Sequence, residues 1–190
     1  MNVIIFGPPL AGKGTQSKKI IQDFGLTHLS TGDVLRAEKA QKTELGIKAA
    51  EYSSKGLLVP DHLTAQIVER FYHNHKNEKG ILFDGYPRNT IQAEHLLQVI
   101  AEGGETIDKV IFLKVPKEEL LKRAIKRAES ENRADDKDST IVLTRIDEFQ
   151  NGTIPAVQFI KESGITVIEI DGNQSIDAIY KVINAYLKQR

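Results

Sequence analysis

Three glycines and a lysine near the N-terminus have the spacing of a site that binds phosphate. The stretch reads Gly7-Pro8-Pro9-Leu10-Ala11-Gly12-Lys13-Gly14-Thr15. The glycines let the backbone curl until several N–H groups point inward, and these donors form an anion hole with the positive end of a following helix. Lys13 adds a charge that can follow a moving phosphoryl group. We therefore expect residues 7–15, the phosphate loop, to cradle a phosphate chain; a plain glycine-rich turn is the alternative.

A carboxylate and an arginine follow a second apolar run. Ile81-Leu82-Phe83 ends in Asp84-Gly85-Tyr86-Pro87-Arg88. In an open α/β sheet, ligands bind beyond the carboxyl ends of the strands, so Asp84 and Arg88 should lie at the same edge as the phosphate loop. A buried Asp84–Arg88 ion pair is the alternative. A carboxylate that ends a buried strand is costly without a cation or a hydrated metal ion nearby.

Several arginines could neutralise phosphate charge at that edge. They are Arg36, Arg88, Arg123, Arg127, Arg133 and Arg145. Solvent exposure is the alternative for each, and the spacing leaves it open for Arg36 and Arg123. Six arginines around one phosphate loop match the charge of two facing phosphate chains, and for the other four we expect phosphate binding.

The elements that position these residues follow from apolar patterning. Short runs without strict alternation recur at residues 3–6, 27–29, 81–83, 110–113 and 166–170, with helical patterns between them. This indicates a parallel sheet covered by helices on both faces. We expect one domain over residues 1–190, with a three-layer α/β/α P-loop fold.

Two small insertions are predicted to move. Residues 30–59 read as a compact helical unit in which Ser30 or Thr31 caps the first helix, and Asp61 is predicted to cap the long helix that follows. Residues 127–137 are mostly polar and read as a short exposed lid.

Composition narrows the range of functions. The chain has 26 basic and 26 acidic residues, so no basic field favours nucleic acid or a membrane surface. It has no cysteine, no apolar run of membrane-spanning length, and a strand rather than a signal peptide at its start. We expect a cytoplasmic protein. The 5 histidines show no ligand spacing and are interpreted as structural or surface residues.

Taken together, these motifs resemble the adenylate kinase family over essentially the whole chain. The matching stretches are Gly-Lys-Gly-Thr-Gln at 12–16, Ser-Thr-Gly-Asp-Val-Leu-Arg at 30–36, Asp-Gly-Tyr-Pro-Arg at 84–88, Gln92, and Arg-Ala-Asp-Asp at 133–136. The short lid is similar to that of the short-lid members. The resemblance implies reversible transfer of the γ-phosphoryl group of ATP to AMP, giving two ADP, with Mg²⁺ required and the protein a monomer.

The resemblance also implies residue roles. ATP would be held by Leu10, Ala11, Gly12, Lys13, Gly14, Thr15, Arg127 and the backbone near Gln174, with Arg123 over the adenine. AMP would be held by Thr31, Arg36, Leu57, Leu58, Val59, Gly85, Tyr86, Pro87, Arg88 and Gln92. Arg133 and Arg145 would reach the phosphates from the lid side. Asp84 and Asp33 would orient the water shell of Mg²⁺.

Two rival functions stay open. One is a UMP/CMP kinase, against which Thr31 and Gln92 argue, because pyrimidine-specific relatives usually have alanine and asparagine there. The other is a weakly active nucleotide-binding protein, favoured only by Leu10, which stands where the family usually has glycine. If that position needs a positive φ, leucine there costs about 1 kcal/mol or more.

Overall fold

A parallel five-stranded sheet forms the centre of the computed structural model, which describes residues 1–131 and 138–189 without the side chains of 128–131. Its strands are β1 (Val3–Phe6), β2 (Thr27–Ser30), β3 (Ile81–Asp84), β4 (Lys109–Lys114) and β5 (Val167–Asp171). Their order is β2-β3-β1-β4-β5, and every pair is parallel. The predicted parallel sheet is confirmed.

Helices cover both faces of this sheet, which confirms the three-layer α/β/α architecture. They are α1 (Lys13–Phe24), α2 (Thr31–Ala40), α3 (Glu44–Ser53), α4 (Asp61–His75), α5 (Thr90–Glu102), α6 (Lys117–Glu131), α7 (Ser139–Glu148), α8 (Ile154–Glu162) and α9 (Ile176–Leu187). A π-helical turn, Phe149–Thr153, joins α7 to α8. No helix in the described ranges is long and apolar enough to cross a membrane.

The central strand β1 shows how the layers are held together. All four of its residues are buried, and they alternate between two apolar cores. Ile4 and Phe6 pack on the face covered by α4, α5 and α8, while Val3 and Ile5 pack on the face covered by α1 and α9. Because both faces are covered, the strand sequence is continuously apolar.

Helix starts place polar side chains near the sheet edge. Ser30 caps α2, since its hydroxyl accepts a hydrogen bond from the Asp33 N–H. The prediction that Asp61 caps α4 is wrong. Pro60 occupies the cap position, and the Asp61 carboxylate instead accepts hydrogen bonds from the side-chain amides of Asn89 and Gln92.

A third, smaller apolar cluster lies away from the two sheet cores. Its buried members are Leu10, Leu120, Ala124, Val142 and Ile146, and we refer to it as the α6–α7 cluster. It joins the phosphate loop to α6 and α7, the helices on either side of the predicted lid.

Candidate active site

The phosphate loop connects the end of β1 to the start of α1. Gly12 occupies the N-terminal cap position with φ 91°, a left-handed conformation that glycine adopts at little cost. Because it has no side chain to cap the helix, the amides of Lys13 and Gly14 can donate to an anion, and the helix dipole favours negative charge there. The geometry therefore suits a phosphate group.

Lys13 is the first residue of α1, and its ammonium lies inside the loop. Nζ donates hydrogen bonds to the carbonyl oxygens of Gly7 at 2.7 Å and Pro8 at 3.0 Å. Burial lowers the pKa of Lys13 to about 8; Asp84 opposes the shift, and the charges of Arg88, Arg145 and Arg127 add to it. Three of the predicted arginines, Arg88, Arg127 and Arg145, therefore act on the Lys13 ammonium.

Asp84 ends β3 as a buried carboxylate, 8% exposed. Its Oδ2 accepts a hydrogen bond from the Ser17 hydroxyl at 3.1 Å, and the Nε2 atom of His28 lies 3.5 Å from the same oxygen. Burial raises the pKa of Asp84, but His28, Lys13 and Ser17 together lower it below the ordinary value. The group is therefore ionised at neutral pH.

The loop after β3 fixes Arg88. Gly85 has φ 81°, and a Cβ there would lie 2.9 Å from the Thr31 hydroxyl oxygen and 3.0 Å from Arg88 Nη2. The Gly85 carbonyl accepts hydrogen bonds from Thr31 Oγ1 at 2.8 Å and Arg88 Nε at 2.7 Å. The guanidinium thus bonds to the backbone, and the described residues contain no Asp84–Arg88 ion pair. Burial lowers the pKa of Arg88 to about 10, and Arg145 contributes to the shift.

Two cavities meet at Arg88 and Arg145. The larger, about 470 Å³, has the size of a small-molecule site. Of the predicted AMP-binding residues, it is lined by Thr31, Arg36, Leu57, Leu58, Val59, Gly85, Arg88, Gln92 and Arg145. The smaller, about 80 Å³, lies beside Gly7 and Lys13 and also touches Pro87, Arg88 and Arg145. Tyr86 is instead buried, and its hydroxyl lies 2.8 Å from His95 Nδ1.

Gln92 is buried beside the larger cavity, and its amide orientation is fixed. Oε1 accepts a hydrogen bond from the Arg88 N–H at 2.8 Å, and Nε2 donates to Asp61 Oδ1 at 2.7 Å. The Arg88 N–H can only donate, and the ionised Asp61 carboxylate can only accept. The two ends therefore cannot be exchanged.

The remaining predicted residues lie on α6, in the loop after β5 and on α2. Arg123 donates to the carbonyl oxygens of Gly172 at 2.9 Å and Leu10 at 3.5 Å. Arg127 is one helical turn further along α6, and Gln174 is exposed close to Gly172 in sequence. Arg36 forms an ion pair with Asp33. Arg133 and residues 132–137 of the predicted lid lie outside the described residues.

Asp84 and Asp33 are the two carboxylates that were predicted to orient the water shell of Mg²⁺. Among the residues with described side chains, no group of three His, Cys, Asp or Glu side chains could hold an ion. Asp84 is ionised, and for Asp33 burial raises the pKa while hydrogen bonds from Arg36 and Ser30 lower it below its usual value. Ionised carboxylate oxygens are hard ligands of the kind that Mg²⁺ accepts, and Mg²⁺ usually keeps several of its water molecules.

Three side chains at the site were not predicted. Ser17 follows Lys13 by four residues on α1, so helical periodicity could have placed it on the same face. His28 could have been found from strand pairing, because β2 lies next to β3. Thr153, whose hydroxyl donates to the Arg88 carbonyl at 3.0 Å, lies in the π-helical turn and has no local sequence signal.

A phosphate loop at the edge of a parallel sheet, with a second arginine-lined cavity beside it, defines a P-loop nucleoside monophosphate kinase. The sequence matches the family model described as adenylate kinase over residues 5–165. It is 42% identical to an adenylate kinase of Phocaeicola vulgatus over 189 residues, covering 100% of this chain and 99% of the relative. It is 40% identical to one of Maricaulis maris over the full length of both chains. A third, from Bacteroides thetaiotaomicron, is 41% identical over 95% of this chain and 94% of its own. The chain belongs to the adenylate kinase family.

Proposed function

We propose that the protein transfers the γ-phosphoryl group of ATP to AMP, reversibly, to give two ADP. The observation that carries this proposal is that Arg88 and Arg145 line both the cavity beside Lys13 and the larger cavity next to it. Two anionic groups placed in these cavities would meet at a shared cationic wall. This is the arrangement that phosphoryl transfer between two nucleotides requires.

ATP is proposed to bind with its phosphates in the phosphate loop. The amides from Leu10 to Thr15 and the Lys13 ammonium would hold them, and Arg127 would contact them from α6. Arg123, which bridges Leu10 and Gly172, would lie over the adenine, close to the backbone near Gln174.

AMP is proposed to occupy the larger cavity. Its phosphate would be bound by Arg36 and Arg88 and its base would lie near Thr31, Gln92 and the backbone of residues 57–59. Arg133 and Arg145 would complete the cationic wall from the lid side. The cavity volume of about 470 Å³ is sufficient for one nucleotide.

In the transfer step, an oxygen of the AMP phosphate forms a bond to the γ-phosphorus of ATP. The bond from that phosphorus to the β,γ-bridging oxygen breaks, and ADP leaves. No proton has to move, so the residues act by alignment and by neutralising charge on the transferred group. Lys13, Arg88, Arg127 and Arg145 would do this. Mg²⁺, oriented through water by Asp84 and Asp33, would neutralise charge on the phosphates.

Water must be excluded from the site, because it would otherwise accept the phosphoryl group. We propose that residues 30–59 close over AMP and residues 127–137 over ATP. The cytoplasmic location and the monomeric state stay predictions from the sequence.

The proposal is tested by following ³¹P spectra of the protein with Mg²⁺ and nucleotides. ATP with AMP should give ADP, ADP alone should give ATP and AMP at the same equilibrium ratio, and ATP alone should stay intact. Nucleotide binding without any interconversion would contradict the proposal and favour the weakly active binding protein. Rapid hydrolysis of ATP in the absence of AMP would contradict the proposed exclusion of water.

A further inference from the structure

Leu10 adopts a backbone conformation that disfavours its own residue type. Its φ is 68°, in the left-handed region, where the Cβ of an L-amino acid crowds the backbone. Among the described residues, Lys42 is the one other non-glycine residue with positive φ, and it lies exposed in the turn between α2 and α3. Leu10, in contrast, is 9% exposed and lies inside the phosphate loop. Strain of this kind persists where surrounding contacts offset it.

Those contacts are with the α6–α7 cluster. Leu10 packs with Leu120 and Ala124 of α6 and with Val142 and Ile146 of α7. It is the one phosphate-loop residue in this cluster. Ala11 belongs instead to the core between the sheet and helices α1 and α9. The side chain therefore ties the loop to two helices rather than to the strand from which the loop emerges.

A polar contact reinforces the same connection. Arg123 of α6 donates hydrogen bonds to the carbonyl oxygens of Leu10 and Gly172. Arg127 lies one turn along α6, and Arg145 directly precedes the cluster residue Ile146 on α7. The helices that Leu10 contacts are therefore those that carry Arg127 and Arg145, two of the arginines whose charges act on Lys13.

We propose that Leu10 is a positioning residue for phosphoryl transfer. Its side chain, packed between α6 and α7, sets the phosphate loop at a fixed position relative to Arg123, Arg127 and Arg145. A glycine at this site would relieve the backbone but leave the loop and the two helices without this apolar link. The inference rests on the proposed function, since the phosphates that the loop and the arginines hold together are those of ATP.

Three substitutions at residue 10 separate packing from backbone strain. Leu10→Gly removes both the side chain and the strain, Leu10→Ala removes most of the side chain and keeps a Cβ at positive φ, and Leu10→Met keeps apolar bulk. We expect Leu10→Gly and Leu10→Ala to raise the KM for ATP and lower kcat, each by about fivefold or more, with the KM for AMP within about twofold of wild type. Leu10→Met should keep both kcat and the KM for ATP close to the wild-type values. Ile125→Ala, at an exposed position on α6, is the matched control.

A double-mutant cycle with Val142→Ala tests whether the effect passes through the cluster. The effects of Leu10→Gly and Val142→Ala on kcat/KM for ATP should be less than additive, because both substitutions loosen the same packed cluster. Additive effects would overturn the proposal, as would equal changes in the KM values for ATP and AMP, or unchanged kinetics in Leu10→Gly. Binding of ATP without an acceptor, measured by calorimetry, keeps the test independent of turnover. If the wild type binds ATP but does not phosphorylate AMP, the proposed function fails, while weaker ATP binding in Leu10→Gly still supports the role of Leu10.

Discussion

The Ser17 hydroxyl donates a hydrogen bond to the Asp84 carboxylate at 3.1 Å and thereby joins α1 to the end of β3. Both residues are buried. This bond holds the Oδ2 atom of Asp84 in place, and the Nε2 atom of His28 lies 3.5 Å from the same oxygen. Ser17 therefore fixes the carboxylate that is proposed to face the water shell of Mg²⁺.

Replacing Ser17 with alanine should raise the Mg²⁺ concentration that the reaction needs, while the protein still folds. A hydrogen bond to a charged group contributes about 1.5–3 kcal/mol, so we expect kcat/KM at limiting Mg²⁺ to fall by about tenfold. The Mg²⁺ concentration for half-maximal rate should rise. Ser163→Ala, which removes an exposed hydroxyl bonded to the Phe159 carbonyl, is the control. The role given to Ser17 is wrong if the two variants have the same Mg²⁺ dependence.

Removing the Lys13 charge should abolish most phosphoryl transfer while the fold is retained. Loss of one preorganised charge in a transfer site costs about 3–4 kcal/mol of barrier, so Lys13→Ala should lower kcat by about 10²–10³-fold. Lys18→Ala, at an exposed site on the same helix, should behave as wild type. Steady-state kinetics and circular dichroism of both variants make the comparison. Near-normal turnover in Lys13→Ala would remove Lys13 from the mechanism.

The lowered pKa of Lys13 predicts a specific pH dependence of stability. The folded-state pKa is about 8 and the ordinary value 10.5, so between these pH values the unfolded chain binds more protons and stability rises with pH. A lowering of the pKa by this amount corresponds to about 3 kcal/mol of stability gained across that range of pH. Urea unfolding of the nucleotide-free protein at pH 7–10 should show this rise, and Lys13→Met should lack that part of it. Parallel pH profiles would contradict the pKa assignment. In the same window nucleotide binding should weaken as Lys13 loses its proton.

Asp61 should matter for the acceptor rather than for ATP. Its carboxylate accepts hydrogen bonds from Gln92 Nε2 and Asn89 Nδ2 and so holds the Gln92 amide in one orientation. We expect Asp61→Ala to raise the KM for AMP by about fivefold or more, with the KM for ATP unchanged. His62→Ala, at the exposed neighbouring position, is the control. A rise in both KM values would indicate a general loss of structure instead.

Features encoded in local sequence could be predicted. Strands β1, β3 and β4 were found because they are rich in consecutive apolar residues, and the phosphate loop because its glycines and lysine lie close together in the chain. The resemblance to a family that usually has glycine at position 10 raised the question of a positive φ there, and Leu10 has φ 68°. For these features, neighbouring residues determine the conformation.

Features that depend on distant contacts could not be predicted. Thr153 supports the Arg88 carbonyl across 65 residues of sequence, and Asp61 bonds to Gln92 instead of capping its own helix. The α6–α7 cluster brings Leu10 together with residues more than a hundred positions away. Periodicity shows which face of a helix is apolar, but it does not show which other element covers that face.

The most direct test of the central claim is the acceptor specificity. We predict that kcat/KM for AMP exceeds that for UMP and CMP by about 100-fold or more, because a site built to hydrogen-bond one base leaves polar groups unpaired with another. Gln92→Asn should narrow this ratio, since the shorter amide cannot keep its bonds to Arg88 and Asp61 and also reach a purine. Gln98→Asn, at an exposed position on the same helix, should not. Comparable values of kcat/KM for AMP and UMP in the wild type would contradict the assignment of AMP and support a UMP/CMP kinase.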